Sequence, residues 1–271
     1  MHDSRIAAQG LVLLGCGKMG SAMLQGWLAQ GLPPSSVWVL DPYPSDWVRA
    51  TGVHLNTALP AAPAIVLVAV KPQMMADALP TLAAMGNGDT LFVSVAAGIT
   101  IGYFEDVLGA HTPIVRAMPN TPAAISQGIT AIVGNAAAGA QALDEAESLL
   151  RAVGDVVRVA DEGSIDAVTG VSGSGPAYVF HMIETLAAAG VAEGLPEETA
   201  MQLAKATVAG AGALAMAADD TPEQLRINVT SPNGTTQAAL EVLMNETDGF
   251  PALMKRAVKA ATDRSKELAN G

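Results

Sequence analysis

Leu11-Val12-Leu13-Leu14-Gly15-Cys16-Gly17-Lys18-Met19-Gly20, running on into Ser21-Ala22-Met23-Leu24-Gln25-Gly26, decides how the rest of the chain is read. Four apolar residues predict a buried strand, and the G-x-G-x-x-G after them predicts a tight turn into a helix. The three glycines have separate tasks. Gly15 permits the turn, Gly17 lets the backbone approach a pyrophosphate, and Gly20 brings the helix close to the strand. Free N–H groups and the positive dipole end of the helix then favour phosphate. Glycine supplies 27 of the 271 residues, so the pattern by itself also fits a plain turn in an α/β domain. The strand-to-helix setting points to a dinucleotide site along Gly15, Cys16, Gly17, Lys18, Met19 and Gly20.

Downstream, strand and helix signals alternate. A helix over 18–30 ends at Gly31 and Pro33, and Val37-Trp38-Val39-Leu40 reads as a second strand that stops at Asp41-Pro42. Ile65-Val66-Leu67-Val68-Ala69-Val70 is a continuous apolar run, the signature of a strand covered on both faces. Lys71-Pro72 closes it, and a helix to about residue 84 follows. Further strands are expected at 90–95, 113–117, 129–133 and 156–159, with helices at 101–108 and 140–152. Repeated strand–helix units predict a parallel sheet with helices on both faces, an α/β Rossmann-like domain over 1–160. Ligands in such sheets sit beyond the carboxyl ends of the strands. The glycine loop, Asp41, Lys71-Pro72, Ala96-Ala97-Gly98 and Met118-Pro119-Asn120 all fall there.

From about residue 161 the strand-like runs give way to Ala/Leu-rich helical segments at 165–171, 177–192, 197–218 and 253–268. They predict an all-α second domain over 161–271. Its small residues, such as Ala209-Gly210-Ala211-Gly212-Ala213, suit close helix packing, within the chain or against a second subunit. Two glycine-rich stretches interrupt this half. Val171-Ser172-Gly173-Ser174-Gly175-Pro176-Ala177-Tyr178 predicts two small turns before a helix. Thr230-Ser231-Pro232-Asn233-Gly234-Thr235-Thr236-Gln237 leads into a helix over 238–244. Hydroxyls, a glycine and free helical N–H groups make a neutral anion cradle there, and an ordinary Ser/Thr helix cap has the same composition.

The bulk properties exclude several classes. A net charge of −12 argues against nucleic acid and anionic membranes as partners. Half of the residues are hydrophobic, yet no run reaches the ~18 apolar residues of a membrane span. Met1-His2-Asp3-Ser4-Arg5 does not read as the start of a signal peptide. A single cysteine, Cys16, excludes an intrachain disulfide and fits a reducing cytoplasm; in the glycine loop it reads as a small space-filler. The four histidines are scattered, so no metal site is expected.

Taken together, the motifs resemble pyrroline-5-carboxylate reductase. The resemblance runs through Gly15-Cys16-Gly17-Lys18-Met19-Gly20, Val70-Lys71-Pro72-Gln73 and Met118-Pro119-Asn120-Thr121-Pro122-Ala123, then Gly173-Ser174-Gly175-Pro176-Ala177-Tyr178 and Val229-Thr230-Ser231-Pro232-Asn233-Gly234-Thr235-Thr236. The last two are the specific ones. The resemblance implies reduction of the cyclic imine 1-pyrroline-5-carboxylate to L-proline with NADPH or NADH. It also implies a helical dimerisation domain and a homodimer or larger homo-oligomer, with the substrate loop reaching its site across the dimer. On this basis Asn56, Val70, Lys71 and Pro72 lie along the cofactor, with Ala97 and Asn120 near the nicotinamide. Ser231, Gly234 and Thr235 hold the substrate carboxylate, and Thr236 is the catalytic hydroxyl at the ring nitrogen.

Two positions depart from the family pattern. Asn233 stands where a second glycine is usual, a mild change because Asn tolerates left-handed backbone. Asp41 stands where NADPH-preferring members tend to carry Ser, Asn or Arg. It follows Gly20 by 21 residues, close to the ~20 expected of an acid that accepts the ribose 2′-OH, which tilts the cofactor toward NADH. The competing readings are a β-hydroxyacid dehydrogenase or another imine reductase, and a dinucleotide sensor without catalysis. Such a dehydrogenase needs a lysine early in the helical domain, and 170–178 holds none. A sensor has no need of the 231–236 loop.

Overall fold

The computed structural model describes residues 4–270. The chain forms two compact units: one runs to Gly173 and takes in the chain from Ala261 onward, and the other is Ser174–Ala260.

The first unit is built on eight strands: β1 Leu11–Leu14, β2 Val37–Leu40, β3 His54–Leu55, β4 Ile65–Val68, β5 Leu91–Ser94, β6 Ile114–Met118, β7 Gly128–Gly134 and β8 Gly154–Arg158. They lie in the order β3-β2-β1-β4-β5-β6-β7-β8, so the strand order reverses between β1 and β4. The helices of this unit are α1 Ser4–Gln9, α2 Lys18–Ala29, α3 Asp46–Ala50, α4 Met75–Ala78, α5 Ile101–Leu108, α6 Ala140–Leu150 and α7 Ser164–Val168. The two-residue period of a strand divides the core into two layers. Leu11 and Leu13 of β1 pack with Met23, Leu24 and Trp27 of α2 and with Leu150 of α6. Val12 and Leu14 pack on the other face, with Met75 of α4 and Phe104 of α5. Trp27 Nε1 donates to the Leu149 carbonyl at 2.9 Å, tying α2 to α6 beneath the sheet.

Every pairing from β3 through β6 is parallel, as the alternating sequence predicts. The continuation is not, because β7 runs antiparallel to β6 before β8 pairs parallel with β7. Only nine residues separate Met118 from Gly128, while a parallel crossover needs a dozen or more. The helix expected after Pro72 is also broken, with α4 flanked by 3₁₀ turns at Pro72–Met74 and Leu79–Met85. Pro80 lacks the N–H that an α-helix needs there. The short elements α1, α3 and β3 fall in stretches with no expected element.

The second unit is helical: α8 Gly175–Ala192, α9 Glu197–Ala217, α10 Pro222–Asn228, α11 Thr235–Leu243 and α12 Phe250–Asn270, whose last part belongs to the first unit. The small turns expected before α8 are instead a π-helical stretch, Thr169–Gly173, that runs on from α7. Thr169 and Ser172 donate their hydroxyls to the carbonyls of Ile165 and Val168 at 2.8 and 3.3 Å, back-bonding of the kind that bends helices. Within the second unit the buried hydrophobic cluster is only Ala187, Ala200 and Ala204. No helix among the described residues is long and apolar enough to cross a membrane.

Candidate active site

β1 ends at Leu14, and Gly15 turns the chain with φ +87. A Cβ at Gly15 would meet Val70 and its backbone nitrogen at 2.9 Å, so β1 and the end of β4 come together only around glycine. A Cβ at Gly20 would run into the Gly15 carbonyl oxygen, which explains the third glycine by the turn it packs under. Gly17 differs from both: a Cβ there would meet nothing within 4 Å. Gly17 is the N-cap of α2 and offers no side chain to its first turn, so the early N–H groups of α2 have no side-chain acceptor. Open space over Gly17 and uncapped N–H groups are what a pyrophosphate requires.

Cys16 is buried, and its Sγ lies 3.5 Å from Ser21 Oγ. Burial raises the thiol pKa, only partly offset by Ser21, and the Asp41 charge raises it further. The thiol is therefore a poor nucleophile, as a space-filler should be. The Cys16 N–H donates to Asp41 Oδ2 at 2.7 Å, and the Tyr43 N–H donates to Asp41 Oδ1 at 2.7 Å. Asn56 holds the backbone of Asp41: the Asp41 N–H donates to Asn56 Oδ1 at 2.9 Å, and Asn56 Nδ2 donates to the Asp41 carbonyl at 2.8 Å.

Beside this group lies a recess of about 400 Å³, with Leu14, Leu40, Asp41, Asn56, Val70 and Asp77 in its wall. It sits at the carboxyl ends of β1, β2 and β4, where the strand order reverses and open α/β sheets bind ligands. Its wall carries two carboxylates and neither Lys nor Arg. Lys71 and Pro72 are exposed just past β4, and Ala97 is exposed just past β5. Asn120 follows β6, and its Oδ1 accepts from the Ile129 N–H at 3.0 Å, pinning the return to β7.

In the second unit, α10 hands the chain to α11 through residues 229–234. The Gly234 N–H donates to the Ser231 carbonyl at 3.0 Å, and Asn233 takes up φ +56 to close the turn. Asn is tolerated there for the reason anticipated. The helix-cap alternative does not hold: Gly234 is the N-cap of α11, and no side chain caps it. Ser231, Gly234, Thr235 and Thr236 thus surround a helix terminus whose first N–H groups await an acceptor.

A family model described as pyrroline-5-carboxylate reductase dimerisation matches residues 162–268, and one described as NADP oxidoreductase, coenzyme F420-dependent, matches 10–98. A pyrroline-5-carboxylate reductase from Pseudomonas aeruginosa is 40% identical over 265 residues, 96% of each chain. The chain belongs to the pyrroline-5-carboxylate reductase family. Among solved structures, a pyrroline-5-carboxylate reductase from Coxiella burnetii superposes with a TM-score of 0.91 at 35% identity, over 96% of this chain and 98% of that one. A Plasmodium falciparum pyrroline carboxylate reductase with NADP bound gives a TM-score of 0.82 at 28% identity, over 96% and 98%.

The residues that sequence assigned to a pyrroline-5-carboxylate reductase site fall into two groups. Those expected at the cofactor gather at the strand ends of the first unit, and those expected at the substrate gather at the start of α11. Sequence reasoning missed Arg116 and Glu162. Arg116 sits in the middle of β6 with its side chain almost wholly buried, and Nη1 lies 2.6 Å from Glu162 Oε1. The same oxygen accepts from the Ile101 N–H at 2.8 Å. Glu162 therefore ties the start of α5, after the Ala97 turn, to β6, the strand that leads to Asn120. An arginine inside the apolar run Ile114-Val115-Arg116-Ala117-Met118 was the available signal, since a buried charge demands a partner.

Proposed function

We propose that the chain reduces 1-pyrroline-5-carboxylate to L-proline, the last step of proline biosynthesis, as a homo-oligomer in the cytoplasm. The observation that carries the reading is one chain that joins an open glycine loop at a sheet's switch point to an uncapped, hydroxyl-flanked helix start. The reaction adds a hydride to a C=N bond, and a bound nicotinamide dinucleotide supplies that hydride. The chain's own residues bind and orient. Gly15 to Gly20 and the first turn of α2 receive the pyrophosphate, Asp41 and Val70 flank the ribose, and Lys71, Pro72, Ala97 and Asn120 follow toward the nicotinamide. The N–H groups of α11, with Ser231, Gly234 and Thr235, hold the substrate carboxylate without a cation, which suits a chain of net charge −12. Thr236 places its hydroxyl at the ring nitrogen, fixes the face presented for hydride addition and serves as the local proton relay. A protonated imine is already electrophilic, so orientation and exclusion of water suffice without a strong acid.

The cofactor is a nicotinamide dinucleotide, and within that class NADH is favoured. A 2′-phosphate in the recess would face Asp41 and Asp77 with no cation in the wall, while a 2′-OH would donate to Asp41. Arg49, on α3, is exposed and is not part of that wall. The test is proline formation from pyrroline-5-carboxylate with each cofactor. Proline formed with kcat/KM for NADH at least equal to that for NADPH is expected. Absence of proline with either cofactor overturns the activity, and an NADPH preference above tenfold overturns the role given to Asp41.

A further inference from the structure

We infer that Asn56 is a positioning residue that sets cofactor selectivity through Asp41. The inference rests on the reading of Asp41 as the residue that meets the ribose 2′ position. β3 is only two residues long and pairs in parallel with β2, Leu55 opposite Val39. The Asn56 N–H adds one more bond, to the Val39 carbonyl at 2.9 Å. There the backbone turns left-handed, at φ +51, and cannot continue the ladder. The Asn56 side chain takes over. Its Oδ1 accepts from the Asp41 N–H and its Nδ2 donates to the Asp41 carbonyl, so one side chain supplies both bonds that a longer β3 would have given from its backbone. A residue just past a strand end thus has both backbone groups held.

With its backbone held, the Asp41 side chain adopts one orientation, each carboxylate oxygen accepting a single N–H, from Cys16 and from Tyr43. A carboxylate has about four acceptor positions, so each oxygen keeps one for a ribose hydroxyl. The Asn56 amide directs its oxygen and its nitrogen at Asp41, and this coupling is separated from any direct contact with the cofactor by removing Asp41 as well. Freed from Asn56, Asp41 would sample orientations that neither accept a 2′-OH well nor oppose a 2′-phosphate fully.

The experiment measures kcat and KM for NADH and NADPH in Asn56→Gly, Asp41→Ser and the double variant, with thermal unfolding of each. Glycine keeps the left-handed backbone without steric cost and removes only the amide. The expected result is a fall of about tenfold in the NADH-to-NADPH ratio of kcat/KM for Asn56→Gly, carried by a higher KM for NADH. In the Asp41→Ser background the same change should move the ratio less than about twofold, because the two residues act in series. A merely structural role would raise both KM values together and leave the ratio alone. Asn56→Ala, which loses the amide and the left-handed tolerance, should show the same shift in ratio with a lower melting temperature. An unchanged ratio in Asn56→Gly, or an equal fall with and without Asp41, overturns the inference. If Asp41→Ser alone leaves the ratio unmoved, the reading of Asp41 fails first, and the role of Asn56 falls with it.

Discussion

At the scale of single residues, three glycines in one motif make three different demands, and substitutions should separate them. Gly17 faces open space, so Gly17→Val should fold and melt like the parent while NAD(P)H binding is lost, because the branched side chain fills the place of the pyrophosphate. Undiminished NAD(P)H titration by that variant would remove the loop from the proposed site. Gly20→Ala is the opposite case, since its Cβ collides with the Gly15 carbonyl and the turn itself must move. At the substrate loop the absence of a side-chain cap on α11 leaves Ser231 and Thr236 without a visible structural task. Ser231→Ala should therefore raise the KM for pyrroline-5-carboxylate, and Thr236→Ala should cut kcat while cofactor affinity holds. A hydrogen bond to a charged group is worth about 1.5–3 kcal/mol, so roughly ten- to hundredfold effects are expected in steady-state kinetics. Parental kinetics in both variants would return the loop to a purely structural role.

At the scale of elements, what the sequence made legible follows how locally each element is determined. β1, β2, β4 and β5 are short apolar runs ended by Gly or Pro or by a polar turn, and these signals lie within the run itself. Most cofactor-side positions follow from them, because a strand end plus a parallel sheet fixes where a ligand can sit. The π-helical Thr169–Gly173 was not legible, since its glycines and serines suggest turns and the wider backbone pattern of a π-helix has no composition of its own. The antiparallel β7 depends on a connection length, and the pairing of Arg116 with Glu162 spans residues far apart in sequence. That pair gives the prediction at this scale. Glu162→Ala strands the Arg116 charge inside the sheet and releases the start of α5. Breaking a fully buried pair costs about 3–5 kcal/mol. Glu162 keeps some contact with water, so about 2 kcal/mol is expected, a drop of about 5 °C in melting temperature. Adding Arg116→Met should recover part of that loss, because the unpaired charge is then gone. A double variant that melts below Glu162→Ala would mean that Arg116 is held by packing and not by its partner.

At the scale of the whole molecule, the two units differ in how much they need company. The sheet unit buries large side chains on both faces, Phe92, Phe104, Leu11, Leu13, Met23 and Leu24 among them. The helical unit, with three alanines as its buried cluster, leaves Phe180 58%, Leu214 54%, Met216 80% and Val242 72% exposed in a single chain. Each such side chain gains about 1.5–3 kcal/mol on burial, so a few of them outweigh what α8 and α9 obtain from each other through small residues. An apolar surface of this kind marks an interface between subunits, and residues 162–268 match a dimerisation domain. Dimerisation should therefore be a condition of folding in this half of the chain and not a later association of finished monomers. The chemical-denaturation midpoint should then rise with protein concentration, as it does when partner binding and folding are one equilibrium. Sedimentation should find a dimer or a larger assembly at assay concentration, and specific activity should fall once dilution populates single chains. A midpoint independent of concentration, together with a fully active monomer in sedimentation, would place a complete core within one chain.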